Sequence, residues 1–128
     1  MLLKVSEIMR PRSAVPICKP DTPVAKALSL IAAKRCGAAV VVDPRGKLLG
    51  IYTHGDFARG YQKDPEIGRR PLRAVMTKNP VTIPVDSLAA KALHVFETHR
   101  IEDLIVLDAA RRPVGLVDSQ DLARFRLY

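Results

Sequence analysis

Apolar residues recur at helical spacing in two places, and the second place lies 65 positions after the first. Val24, Ala27, Leu28 and Ile31, and again Ala89, Ala92, Leu93 and Phe96, follow i, i+3, i+4, i+7, which puts one apolar stripe on each of two helices. Asp21 and Asp86 stand just ahead as N-cap candidates, and Gly37 suits the C-terminal stop of the first helix. Each helix is preceded by an extended stretch, Ala14-Val-Pro-Ile17 or Pro80-Val-Thr-Ile-Pro84, whose prolines fit an edge strand and not a central one. Each is followed by two apolar runs, residues 38–42 and 48–52, then 104–107 and 114–117, which predict a hairpin. Asp43-Pro-Arg-Gly46 divides the first pair; Asp108-Ala-Ala-Arg-Arg112, without glycine, is the weaker turn signal of the second. A last helix opens near Asp56 or Asp121, so the unit is strand, helix, strand, strand, helix: an α+β pattern written twice.

The duplication extends to identities. Asp21-Thr-Pro-Val-Ala-Lys-Ala-Leu28 lies over Asp86-Ser-Leu-Ala-Ala-Lys-Ala-Leu93, and Gly50-Ile-Tyr-Thr-His-Gly-Asp56 over Gly115-Leu-Val-Asp-Ser-Gln-Asp121. Two copies of a long period argue for two packed pseudo-symmetric halves and against a solenoid, which needs three or more repeats to bury a continuous core. The expected organisation is a first repeat over 1–59, a linker over 60–71 marked by glycine, proline and charge, and a second repeat over 72–128. Each half alone would be marginal, and function is expected in the cleft between them.

Composition narrows the function classes. With 128 residues and 48% apolar content the chain can bury one ordinary core. No run of about 18 apolar residues exists to span a bilayer, and the start lacks the basic-then-apolar layout of a secretory signal, so a cytoplasmic location is expected. Cys18 and Cys36 form no CxxC pair and fall at non-equivalent places; buried reduced thiols are the expectation. A net charge of +8 suits either nucleic acid or a phosphorylated small ligand. The positive residues are scattered in short pairs, aromatics are 5% and tryptophan is absent, so a base-stacking platform is missing and nucleic acid is the lesser reading.

The chemistry gathers where strand gives way to helix. A strand ending at Thr53 and a helix opening near Asp56 bring a hydroxyl, backbone N–H groups and a carboxylate to one edge, an arrangement that favours phosphate beside the N–H groups and a ribose diol on the carboxylate. Gly55 leaves room for close approach, and His54 suits either a phosphate contact or an exposed loop. Asp56 and Asp121 equally suit helix N-caps worth about 1 kcal/mol each. Gly50 and Gly115 fit backbone relief in a strand. In the second copy Asp118 replaces Thr53, and a carboxylate aimed at phosphate repels it unless a cation intervenes, so the first motif ranks higher. Arg59 and Arg124 match across the copies, suiting a phosphate or a surface ion pair. His94 and His99, five apart, share no helical face for a metal. Neither a nucleophile–base set nor a phosphate loop of the Gly-x-x-x-x-Gly-Lys-Ser/Thr type is present, which disfavours an enzyme.

The order of elements, the Met76-Thr-Lys-Asn-Pro-Val-Thr-Ile-Pro84 passage, the Asp-x-x-x-x-Lys-Ala-Leu helix starts and Gly50, Thr53 and Asp56 together resemble a tandem pair of cystathionine-β-synthase (CBS) domains, a Bateman module. Arg100-Ile-Glu-Asp-Leu, Arg112-Pro-Val-Gly and Asp121-Leu are most similar to the regulatory tail of sugar-isomerase-type arabinose-5-phosphate isomerases. The resemblance implies a non-catalytic regulatory pair without a catalytic cofactor, excised from behind an isomerase domain. It implies that Asp56 holds ribose and Thr53 lies near phosphate. Val15, Pro16 and Ile17, with Cys36, Gly37, Ala38 and Ala39, would enclose one base; Thr82 and Ile83, with residues 101–104 including Asp103, would enclose another. Two ligand classes remain open: adenine nucleotides (AMP, ADP, ATP) and CMP-Kdo, the activated 3-deoxy-manno-octulosonate sugar. Phe57, Tyr61, Leu122 and Phe125 on the last helices suggest a homodimer, and the alternative function is a ligand-free assembly module.

Overall fold

The computed structural model of the chain describes residues 2–125; Met1 and residues 126–128, included in the two sequence repeats, lie outside the described residues. In chain order the elements are α1 (Val5–Ile8), β1 (Arg10–Pro11), β2 (Ile17–Cys18), α2 (Val24–Lys34), β3 (Ala38–Val42), β4 (Leu48–Thr53), α3 (His54–Lys63), α4 (Leu72–Val75), β5 (Thr77–Lys78), β6 (Thr82–Pro84), α5 (Ala89–His99), β7 (Asp103–Leu107), β8 (Pro113–Asp118) and α6 (Ser119–Arg124). Both repeats have the strand-helix-strand-strand-helix order that the sequence predicts, in β2-α2-β3-β4-α3 and β6-α5-β7-β8-α6.

The chain divides into two compact units, residues 13–80 and residues 2–12 with 81–125. The leading segment of each repeat therefore belongs to the unit that holds the other repeat's main helix. In one unit the sheet order is β2-β3-β4-β5; in the other it is β1-β8-β7-β6. β2 and β6 pair in parallel with β3 and β7 and occupy sheet edges, as their prolines require.

In the 13–80 unit, α2 buries Val24, Ala27 and Ile31 against Cys18, Ala39, Val41, Tyr52 and Leu72. In its counterpart, α5 buries Ala89, Ala92 and Phe96 against Ile83, Leu104, Val106 and Val117, and α1 adds Val5 and Ile8. Each fully buried aliphatic side chain contributes about 1.5–3 kcal/mol relative to exposure, so α1 is a working part of that core. Of the four apolar residues on the last helices that suggest a dimer, Leu122 is 1% exposed, within this core, and Tyr61 is exposed.

The helix ends differ from the sequence expectation. Asp21 and Asp86 do not cap α2 and α5; the N-cap positions are Pro23 and Leu88, without side-chain bonds. The first helical N–H of α2, from Val24, instead donates to the Arg70 carbonyl (2.9 Å), and that of α5, from Ala89, to the Leu3 carbonyl (2.8 Å). The exchanged segments thus meet the orphan donors that a capping side chain would otherwise satisfy, and Asp21 pairs with Arg73. Gly37 is not the helix stop either: Arg35 (φ 52°) and Arg100 (φ 50°) take the left-handed conformation at the C-caps.

The two hairpin turns work alike despite the missing glycine. Asp43 Oδ1 accepts from the N–H groups of Arg45 and Lys47, and Asp108 Oδ1 from those of Ala110 and Arg112. Arg111, at φ 63°, takes the place of Gly46, at φ 82°. The segment expected as a linker carries structure: α3 runs on to Lys63, and Ile67 is buried in a 3-10 turn, Ile67–Arg69.

Two glycines admit the exchanged segments. A Cβ on Gly50 would lie 2.7 Å from the Thr77 carbonyl oxygen and against Met76, and one on Gly115 would lie 2.6 Å from the Arg10 carbonyl oxygen and against Met9. Any larger residue would push β5 or β1 off its sheet.

Candidate functional site

The end of β4 delivers Thr53 to the first turn of α3. Thr53, not Asp56, is the N-cap, in extended conformation; Asp56 is the third helical residue. The two bond reciprocally: Thr53 Oγ1 accepts from the Asp56 N–H (3.1 Å) and Asp56 Oδ2 from the Thr53 N–H (3.0 Å). This is a capping box, and it answers two orphan donors of the helix. Asp56 Oδ1 accepts from Arg59 Nη2 (2.9 Å), so both carboxylate oxygens are engaged. A Cβ on Gly55 would lie 3.1 Å from Arg59 Nη1, so the space over this glycine holds the guanidinium. Arg59 is 73% exposed, and an exposed ion pair of this kind contributes little, so a hydrogen-bonding ligand could displace it at small cost.

Around this motif the sheet gathers several of the predicted residues. Ala38 is the register partner of Thr53, and the Gly37 carbonyl accepts from the His54 N–H (3.2 Å) while the His54 side chain is exposed. Pro16 and Ile17 lie one strand further over, with the Pro16 carbonyl accepting from the Val40 N–H. Val15, Pro16, Cys36 and Ala38 are buried, while Ile17 and Gly37 are half-buried.

In the other unit Asp118 caps α6 and Asp121 is its third residue, which again moves the cap from the later carboxylate to the earlier position. Asp118 Oδ1 accepts from the Asp121 N–H (2.8 Å), and Asp121 Oδ2 from the Asp118 N–H (2.9 Å). Asp103 stands directly opposite Asp118 in the β7–β8 ladder. Burial first, then the Asp118 charge, push the Asp103 carboxyl up to about 6; burial also raises Asp121. Arg10 enters from β1, with Nη2 3.3 Å from Asp118 Oδ2 and Nε 3.9 Å from Asp121 Oδ2. Arg124 lies 3.4 Å from Asp121 Oδ1. Thr82 pairs with Ile105, two residues from Asp103, as Ile17 pairs with Val40, two residues from Ala38; Thr82 and Ile83 also line a cavity of about 430 Å³ with Pro84, Leu107 and Arg111. Among the described residues no group of His, Cys, Asp or Glu is arranged to hold a metal ion.

Sequence reasoning missed Arg10 and Tyr52. Met9 on Gly115 and Met76 on Gly50 are structural counterparts, so aligning the two Met residues would have set Arg10 over Thr77 and marked a charge present in one copy only. Tyr52 precedes the first motif and is 1% exposed, and its hydroxyl has no hydrogen-bond partner among the described residues. Burial, then the Asp56 charge, push it up to about 12.

Comparison with known proteins agrees with this architecture. The CBS domain model matches residues 5–63 and 72–128. Arabinose 5-phosphate isomerase KdsD of Pseudomonas aeruginosa is 36% identical over 97% of this chain, and that of Francisella tularensis 35% identical over 99%. The chain spans 38% of the length of each, so the similarity covers their CBS-containing part alone. Among solved structures, CBSX2 in complex with AMP superposes with a TM-score of 0.83 at 24% identity, covering 98% of this chain and 96% of that one. The CBS domain pair of protein MJ0100 in complex with 5-methylthioadenosine and S-adenosyl-L-methionine gives 0.87 at 23%, covering 98% and 97%. With a match in each repeat and the same fold throughout, this chain belongs to the CBS domain family, as a tandem CBS pair.

Proposed function

We propose that the chain is a non-catalytic regulatory module that binds an adenine nucleotide at the Thr53–Asp56 motif and controls an arabinose-5-phosphate isomerase domain in the same polypeptide. The observation that carries the reading is the Asp56 carboxylate: it is held in place by the Thr53 N–H, and its second oxygen is committed only to an exposed arginine. Such a group is positioned to accept both hydroxyls of a ribose once Arg59 swings away, and its neighbours supply a hydroxyl and the N-terminus of α3, ten residues long, for phosphate. Ile17 and Ala38 give the base an apolar edge beside the motif. The adenosyl ligands of CBSX2 and MJ0100 support an adenine nucleotide; the isomerase relatives support CMP-Kdo, an activated sugar, as the competing signal.

Occupancy acts on an attached domain by favouring one packing of the pair over another. The module works in the cytoplasm, where the buried thiols of Cys18 and Cys36 stay reduced. It forms a homodimer through the α3 face on which Phe57 stacks against Tyr61, with ring centroids 5.7 Å apart and Tyr61 51% exposed. A thermal-shift panel of AMP, ADP, ATP and CMP-Kdo, run with light scattering on the same sample, tests this. Stabilisation by one of these ligands on a dimer is expected. A dimer that ignores all four would establish the ligand-free assembly role instead, and a monomer at tens of micromolar would remove the α3 interface.

A further inference from the structure

Positions that correspond across the two motifs differ as a set. Ala38 faces Thr53 in one sheet, where Asp103 faces Asp118 in the other. On the outer strands Thr77 pairs with Ile51, two residues before Thr53, and Arg10 pairs with Leu116, two residues before Asp118. Ala38, Thr53 and Thr77 thus correspond to Asp103, Asp118 and Arg10, while Asp56 and Asp121 are alike. One carboxylate, Asp56, faces one arginine in the 13–80 unit. Three carboxylates, Asp103, Asp118 and Asp121, face Arg10 and Arg124 in the other, with Glu102 adding to the negative field at Asp103. The wider charge follows the same division: residues 13–80 hold 12 of the 21 Lys and Arg and only 5 of the 13 Asp and Glu.

We propose that Asp103, Asp118 and Arg10 are specificity determinants that close the second motif to phosphorylated nucleotides, so that each chain takes one such ligand, at Thr53–Asp56. This rests on the nucleotide-binding reading above. A phosphate brought to the second motif meets the Asp118 carboxylate where the first offers a hydroxyl, and Arg10 does not cancel that repulsion, because it is already shared between Asp118 and Asp121 in a site where three carboxylates face two arginines. The Asp121 carboxylate is 2% exposed and already has Arg10 and Arg124 against it. The backbone that carries Arg10 is anchored by buried Ile8 and by Met9 on Gly115, and the Arg10 side chain is 24% exposed where Arg59 is 73% exposed. The Asp103 carboxyl is raised first by its burial and then by the Asp118 and Glu102 charges beside it, in keeping with a site already crowded with negative charge.

Calorimetric titration with AMP tests the assignment on three proteins: wild type, Thr53→Asp, and the triple variant Arg10→Thr, Asp103→Ala, Asp118→Thr, which writes the first motif's residues into the second. Wild type should take one AMP per chain and the triple variant two. Thr53→Asp keeps an N-cap, as Asp118 does in the same place, so it should fold as wild type and bind at least tenfold more weakly. Two sites in wild type, or a folded triple variant that stays at one, would overturn the proposal. If the triple variant does not fold, Thr53→Asp decides alone, and unchanged affinity there would overturn it. No AMP uptake by wild type removes the nucleotide reading and this proposal with it, a result distinct from two sites.

Discussion

Asp103→Asn should stabilise the protein at neutral pH and do so in a pH-dependent way. Asp103 is the register partner of Asp118, and like charges directly opposite on antiparallel strands are destabilising. Burial is the larger cause of its raised pKa, followed by Asp118 and Glu102, with Arg10 opposing and Asp121 adding a little. Because the folded-state value of about 6 lies above the ordinary 3.8, the fold prefers the protonated carboxyl. The stability it allows is fully present below pH 4 and is lost as the pH rises through about 6. The gap corresponds to about 3 kcal/mol at neutral pH, of which about 2 kcal/mol is lost between pH 4 and 7.5. Asparagine keeps the shape and removes the titration. Urea denaturation of wild type and variant at pH 4 and pH 7.5 cancels every other group, since only the difference between the two proteins at each pH is read. The variant's relative stability should rise by about 2 kcal/mol from the lower pH to the higher. A difference that is the same at both pH values would refute the burial argument.

Three further outcomes follow from the same structure. Tyr52→Phe removes a buried hydroxyl that lacks a partner among the described residues, so thermal melting should show a gain of about 1 kcal/mol; a loss of that size would reveal an unrecognised hydrogen bond. Gly50→Ala and Gly115→Ala should each lose about 1–3 kcal/mol in urea titrations, since a methyl at either position meets a carbonyl oxygen and a Met sulfur; neutral variants would show that β5 and β1 shift freely. The purified chain should not interconvert arabinose 5-phosphate and ribulose 5-phosphate in a coupled assay, because it spans only the CBS-containing 38% of its isomerase relatives; turnover above the uncatalysed rate would contradict the regulatory reading.

Much of the fold was legible because helix stripes and hairpins are local patterns. The stripe from Val24 to Ile31 and the proline-marked edge strands are written within a few residues of each other. What failed were features that depend on distant segments. Asp21 looks like an N-cap, yet the N–H it would serve is met by the carbonyl of Arg70, and no local signal announces a partner so far along the chain. Arg35 ends its helix in a left-handed conformation that sequence assigned to Gly37, since glycine is the usual but not the required residue there. At the motifs the helices start three residues earlier than expected. Thr53 and Asp118 are the caps, and the aspartates three residues later complete the box, a spacing that Thr-x-x-Asp and Asp-x-x-Asp display in the sequence. Arg10 stayed hidden because it joins the second repeat from the start of the first.

The most direct test of nucleotide binding at Asp56 is calorimetric titration of AMP into wild type, Asp56→Ala and Asp121→Ala, each verified as folded. Loss of charge-assisted hydrogen bonds to ribose costs roughly 1.5–3 kcal/mol, so Asp56→Ala should weaken binding about tenfold or more. Asp121→Ala should lower stability through its lost capping bond and leave affinity nearly unchanged. Equal affinity in wild type and Asp56→Ala would contradict the ribose role, and a larger loss from Asp121→Ala would place the ligand in the other repeat.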